Sequence, residues 1–170
     1  MDLQLLHEVA SKRNDWHFVL IGPVVKINES DLPRRNNIHY LGKKDYSELP
    51  SYLSGWDVAV MPFALNESTR FISPTKTPEY LAAGKPVIST PIQDVVKQYT
   101  NVVHFAETAA EFIKVAEKDI QPSETWLRTV DEKLSENSWD KTWAKMRRLI
   151  IDALQKTQST DNLKDLQQYV

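Results

Sequence analysis

Cysteine is absent from the 170-residue chain, so neither disulfides nor thiolate zinc sites are open to it, and a reducing compartment is the natural setting. An excess of charge is lacking too. Twenty-one Lys plus Arg face 23 Asp plus Glu, a formal net charge of -2, which argues against a broad nucleic-acid or anionic-membrane surface. No apolar run approaches the roughly 18 residues that a membrane-spanning helix needs, and no signal peptide opens the chain, so the expectation is a soluble cytoplasmic protein. The histidines are few. His7, His17, His39 and His104 stand far apart in sequence without ligand spacing, so no metal site is expected. No Gly-x-Ser-x-Gly elbow occurs, which sets serine hydrolase chemistry aside, and internal repeats and low-complexity stretches are missing.

What is present is an alternation of helical and strand-like segments on a chain of single-domain length. Residues 2–13 place Leu3, Leu6, Val9 and Ala10 on one helical face with Leu5 beside it. Residues 16–21 follow as a near-continuous apolar run ending at Gly22-Pro23, the pattern of a parallel strand buried on both faces. A polar loop over 24–36 leads to a second strand, 37–41. Residues 46–54 read as a helix in which Pro50 either sits inside or divides a short lead-in from the helix proper, with Leu49, Tyr52 and Leu53 facing the core. Residues 57–62 read as a third strand, 63–72 as a polar loop, 92–98 as a helix, 102–105 as a last strand and 109–118 as a helix with Phe112, Val115 and Ala116 inward. From Ser123 the alternation gives way to two helices. The first carries Trp126, Leu127, Val130 and Leu134; the second carries Trp139, Trp143, Met146, Ile150 and Leu154 at helical spacing, as core or interface. The division expected is a domain over 1–156 and a frayed tail over 157–170. The fold class is α/β, a Rossmann-like parallel sheet flanked by helices, with C-terminal helices.

Residues 73–91 concentrate the chemistry. They read as a short helix and a buried strand. Either Ser73 caps the helix with Pro74 following, or Thr77 caps it with Pro78 following, and Gly84 closes it in the left-handed conformation. Pro86 opens the strand 87–89 and Pro91 ends it. Lys76 lies at the helix start, where a cation opposes the macrodipole by roughly 0.3 to 1 kcal/mol and a bound anion would reverse the penalty. With Thr75, Thr77 and backbone amides it makes a candidate phosphate site, and Glu79 is placed to accept from sugar hydroxyls. The bland reading, a solvated lysine and a dipole-favoured glutamate, stands beside it. Arg70 could meet a phosphate bidentately or be a solvated loop charge. Ser73 and Gly22 complete the candidate ligand-binding set; Gly22 alone is no dinucleotide fingerprint, and the plain turn, which needs no ligand, is the favoured reading of it.

The run Met61, Pro62, Asn66, Pro74, Lys76, Glu79-Tyr80, Ala83-Gly84 and Lys85-Pro86-Val87 resembles the donor-binding segment of GT-B glycosyltransferases of family 4, glycosyl transferases group 1. The resemblance implies the C-terminal half of a GT-B fold over about residues 1–155. It implies a nucleoside-diphosphate sugar as donor substrate and no cofactor, with the lysine on the pyrophosphate and the glutamate on the ribose. It also implies an N-terminal acceptor-binding domain as a partner outside this chain, so that the chain alone binds donor but hardly transfers it. One departure stands out. The family's Glu-x7-Glu pair would put its first glutamate at position 71, where this chain has Phe71, so sugar recognition and catalysis are less secure than nucleotide binding.

The family's domain starts with a strand before its first helix, and this chain opens at the helix. Such a strand is central in the order 3-2-1-4-5-6. Strands 16–21 and 57–62 are then expected to pair directly or to receive a strand from another chain, by homo-oligomer or strand exchange, unless the sequence is a piece of a longer protein. The leading expectation is a glycosyltransferase of the hexosyltransferase type. Two alternatives stay open: a non-catalytic nucleotide-sugar-binding or assembly module beside another sugar-nucleotide enzyme, and a GT-B relative such as a sugar-nucleotide epimerase.

Overall fold

A computed structural model describes residues 1–25, 27–118, 121–136 and 138–167, with side chains described as far as residue 156. The chain divides into two compact units, Met1–Asp131 and Glu132–Val170.

The first unit is the α/β body. Helix α1, Leu3–Lys12, begins where the Asp2 carboxylate accepts from the Leu5 amide at 2.8 Å, and it buries Leu5, Leu6, Val9 and Ala10. Strand β1, Phe18–Leu20, pairs in parallel with β2, Ile38–Tyr40, in the register Phe18 to Ile38. The polar stretch between them carries only a 3-10 turn, Glu29–Asp31. Pro50 divides the next helical segment: a 3-10 turn, Tyr46–Glu48, leads into α2, Leu49–Ser54. Leu49, Tyr52 and Leu53 are only half buried there.

Strand β3, Ala59–Met61, helix α3, Lys76–Ala82, strand β4, Val87–Ser89, helix α4, Gln93–Tyr99, strand β5, His104–Phe105, and helix α5, Ala109–Ala116, complete the alternation. β4 pairs in parallel with both β3 and β5. Residues 102 and 103, expected at the start of β5, instead close α4, their amides both donating to Tyr99 O. α5 starts at a capping box in which Thr108 and Glu111 exchange side-chain bonds with each other's amides.

Strand alternation separates the two faces of the larger sheet. Val60 and Ile88 join one apolar cluster with the inward residues of α1, Phe18, Ile38 and α5's Phe112. Met61, one residue from Val60, points to the other face, where it meets Thr77 of α3. All three residues of β4 are buried, as expected of a strand covered on both sides. β1 departs from that expectation: Val19 is 37% exposed, and the face it shares with His17 and His39 is open.

Of the two arrangements expected, direct pairing of β1 with β3 does not occur among the described strands. The described strands form two sheets, β1-β2 and β3-β4-β5. α1 joins them instead, through its apolar face and through the Asp2 amide, which donates to Pro62 O at 2.6 Å at the carboxyl end of β3. One edge of β1 and one edge of β3 therefore carry no strand partner among the described residues.

Helix α6, Glu124–Ser135, starts in the first unit, where Val130 is buried and the Trp126 indole donates to Val102 O at 3.3 Å. Helix α7, Trp139–Gln167, belongs to the second. Its expected apolar line is not covered: Trp139 is 89% exposed, and Trp143, Met146, Ile150 and Leu154 are exposed as well. The fraying expected over 157–170 falls on residues whose side chains lie outside the described set. Among the described residues no helix is long and apolar enough to cross a membrane.

Candidate functional site

The loop after β3 is held by two threonines. Thr90 Oγ1 accepts from the Phe63 amide at 3.0 Å, tying the loop's start to the end of β4. Thr69 is buried; its hydroxyl donates to Ala64 O at 2.5 Å and accepts from the Asn66 amide at 3.1 Å, while its own amide donates to Asn66 Oδ1 at 3.3 Å. This reciprocal turn over residues 66–69 places Arg70 and Phe71 outward. Sequence reasoning passed over both threonines, although the Asn-x-x-Thr spacing of the turn was visible.

Arg70 is exposed, 3.6 Å from Glu67 in a loose ion pair, with its guanidinium 5.2 Å from the Phe71 ring centroid. Such an exposed pair is worth about 0 to 1 kcal/mol, so it holds Arg70 weakly. Phe71 is 79% exposed.

Neither expected cap starts α3. Thr75 occupies the N-cap position without a side-chain capping bond, and Lys76 is the first helical residue. The macrodipole conflict is relieved inside the chain: Lys76 Nζ donates to Glu79 Oε2 at 2.8 Å across one turn. That bond, ahead of the opposing effect of burial, raises the lysine above its ordinary value of 10.5. Both partners remain accessible at the surface.

The structure separates the remaining candidates by exposure. Ser73 and Thr75 are exposed and line a small cleft of about 190 Å³ together with Pro78 and with Asp94 and Gln98 of α4. Thr77 is fully buried; its hydroxyl meets Met61 Sδ at 3.6 Å, a contact that seats α3 on β3. Gly22 closes the end of β1, its amide donating to Gly42 O at 2.9 Å. Gly84, at φ +67°, ends α3 in the left-handed conformation expected of it. Lys85 serves the scaffold: its ammonium donates to Ser54 O and Trp56 O at 3.0 and 2.7 Å, satisfying the carboxyl end of α2. Tyr80 packs edge-on to Trp56 with centroids 6.0 Å apart, and burial raises its phenol above the ordinary value.

The result is an accessible lysine-glutamate pair on α3 and an arginine on the preceding loop, with two hydroxyls alongside. Cations and a carboxylate so placed can take a phosphate and a vicinal diol. No side chain here stands as a nucleophile with a paired base.

Residues 3–120 match the sequence profile of the family described as glycosyl transferases group 1. The chain belongs to that family. The match runs from α1 past α5 and contains the whole β3-to-β4 segment, while α6 and α7 lie beyond it. The chain is also similar to a protein of Bacillus subtilis (strain 168) named "Putative teichuronic acid biosynthesis glycosyltransferase TuaH". Identity is 31% over 124 residues, covering 69% of this chain and 31% of the relative. The chain thus spans about a third of that relative's length.

Proposed function

We propose that the chain is the donor-binding part of a glycosyltransferase that takes a nucleoside-diphosphate sugar and works in polysaccharide synthesis. The observation that carries the reading is the exposed Lys76–Glu79 pair, which lies at the start of α3 within the family match. The diphosphate would take the lysine ammonium from Glu79 and draw in Arg70, held loosely by Glu67. Glu79, released from Lys76, would accept from the ribose hydroxyls. Ser73 and Thr75 would add hydrogen bonds, while Thr77 and Gly22 act through the backbone they position. As the glycosidic bond breaks, negative charge grows on the departing diphosphate, and fixed cations stabilise that charge most. The reading needs no metal or other cofactor and places the protein in the cytoplasm.

The cleft beside α3, about 190 Å³, is smaller than the ~300 to 1,000 Å³ of common ligand sites. A second surface must therefore close over the donor, and an N-terminal acceptor-binding domain is the partner proposed. The unpaired edges of β1 and β3 call for an added strand, whether from polypeptide joined to the chain or by exchange with a second copy. By this reading the chain alone binds donor and transfers little.

Phe71 favours a second reading, a donor-binding module without transfer chemistry that serves in assembly beside another sugar-nucleotide enzyme. Titration with UDP, GDP and ADP, and then with the matching nucleotide sugars, tests both. Binding of one nucleotide that weakens about tenfold or more in Lys76→Ala and Glu79→Ala supports the donor site. Absence of binding at millimolar concentration, or indifference to both substitutions, overturns it. The module reading gains if nucleotide and nucleotide sugar bind equally well.

A further inference from the structure

A different cavity lies at the other end of the strands. It measures about 480 Å³ and is lined by Asn14, His17, Arg34, Arg35, Asn36 and Asn37. His17 and Asn37 directly precede β1 and β2, so this is the amino end of that sheet, whereas the proposed donor residues follow the carboxyl end of β3.

The walls are built rather than loose. Leu32 is buried, Pro33 O accepts from the Tyr40 hydroxyl at 3.0 Å, and Arg35 O accepts from the Ile38 amide at 3.1 Å. The buried Asn37 amide donates to Ala10 O, Arg13 O and Trp16 O, each at 3.0 Å. Two of these acceptors, Ala10 O and Arg13 O, lie at the carboxyl end of α1, so Asn37 satisfies carbonyls that the helix leaves without a partner.

The lining is one-signed. Two guanidiniums face it and no carboxylate does. Asp15 and Glu117 are both paired with Arg13, at 2.9 and 2.5 Å and at 2.5 Å. Arg35 spends one nitrogen on Asn14 Oδ1 at 3.0 Å, and its Nε is the buried side-chain nitrogen or oxygen without a hydrogen-bond partner among the described residues. Arg34 rests against the Tyr40 ring, 5.1 Å from its centroid, and makes no hydrogen bond or ion pair among the described residues. His17 stacks on His39, with Nδ1 and Nε2 2.9 Å apart, which fixes its ring at the rim. Buried donors without acceptors are rare, and a guanidinium fork matches a planar or tetrahedral oxyanion.

We propose that this cavity is a second ligand site, for an oxyanion, phosphate or carboxylate, borne on a body of monosaccharide size. Arg34 and Arg35 bind the oxyanion through the guanidinium nitrogens that line the cavity. Asn14 and Asn36 reach the hydroxyls of the attached body, and the His17 imidazole closes the rim. The volume exceeds what a bare anion fills and falls within the ~300 to 1,000 Å³ common for small-molecule sites. This site is independent of the donor reading.

Amide NMR titration of the full chain with inorganic phosphate, glucose 6-phosphate and glucuronate tests it. Saturable shifts are expected at residues 14, 17 and 34–37 for at least one of the three. Affinity should fall about tenfold in Arg34→Gln and in Arg35→Gln and stay unchanged in Lys76→Ala. Glucose 6-phosphate alone would name phosphate as the oxyanion, and glucuronate alone carboxylate. Arg34 is exposed and makes no hydrogen bond among those described, so its variant keeps the test valid should Arg35→Gln fail to fold by circular dichroism. Three results overturn the proposal: no saturable shift at millimolar concentration, shifts that neither arginine variant weakens, or binding that Lys76→Ala abolishes.

Discussion

Lys76 and Glu79 illustrate how a binding residue can be stabilised before its ligand arrives. A lysine at the first position of a helix is unfavourable by a few tenths of a kcal/mol, and its bond to Glu79 offsets that. The coupling predicts non-additivity: Lys76→Ala and Glu79→Ala together should weaken nucleotide binding less than the product of the single effects, read by calorimetric titration. Phe71 makes the complementary case. Because it is 79% exposed, Phe71→Glu should change stability by no more than about 0.5 kcal/mol in urea unfolding. If the donor reading holds, the same variant should bind a nucleotide sugar more tightly relative to the bare nucleotide. His104 offers a pH test. Burial, and then the charge of Lys118, lower it below its ordinary value of 6.5, so the unfolded chain binds the proton more readily than the folded one. The stability contributed by His104 is therefore full above 6.5 and lost as pH falls below it. Unfolding at pH 7.5 and 5.5 should show a loss in the wild type that is smaller in His104→Phe.

At the scale of elements, the short α3 depends on its ends more than on its seven residues. The Thr77 contact with Met61 seats its first turn, and Gly84 at φ +67° releases the chain into β4. An added Cβ at residue 84 would meet only Leu127 Cδ2, at 3.7 Å, so crowding is not the obstacle. The backbone conformation is: Gly84→Ala should cost about 1 to 2 kcal/mol in chemical denaturation, with binding altered only through the position of α3. A serine or threonine before a proline is a good local cap signal, yet Thr77 lies buried inside the helix with its hydroxyl against Met61 Sδ, and Thr75 takes the N-cap position. Where Gly84 ends a helix, local sterics decide, and there the sequence was sufficient; at Pro50 it left two arrangements open, and the structure takes the divided one.

For the whole molecule the decisive feature is a sheet in two pieces held together by α1. Among the described residues, backbone groups along one edge of β1 and one edge of β3 lack strand partners, so their protection rests on local structure. Hydrogen exchange should therefore be faster over Phe18–Leu20 and Ala59–Met61 than over Val87–Ser89, which is paired on both sides. Equal protection in all three would mean that the edges are already covered in solution.

The alternation of segments, the burial of β4 and the loop that carries Arg70 were legible from residue order. Periodicity, Gly and Pro are local signals, and a parallel α/β body is what such an alternation can build. The nearness of Lys76 to Glu79 was legible too, since three residues along a helix are neighbours. Other facts came only from the tertiary arrangement. Whether β1 meets β3 and whether Thr77 faces solvent or Met61 depend on contacts between segments far apart in the chain. So does the meeting of His17 with His39, which spacing alone had kept apart and which parallel pairing brings within 2.9 Å. Order along a chain sets which faces a segment can offer; only packing decides which face is taken.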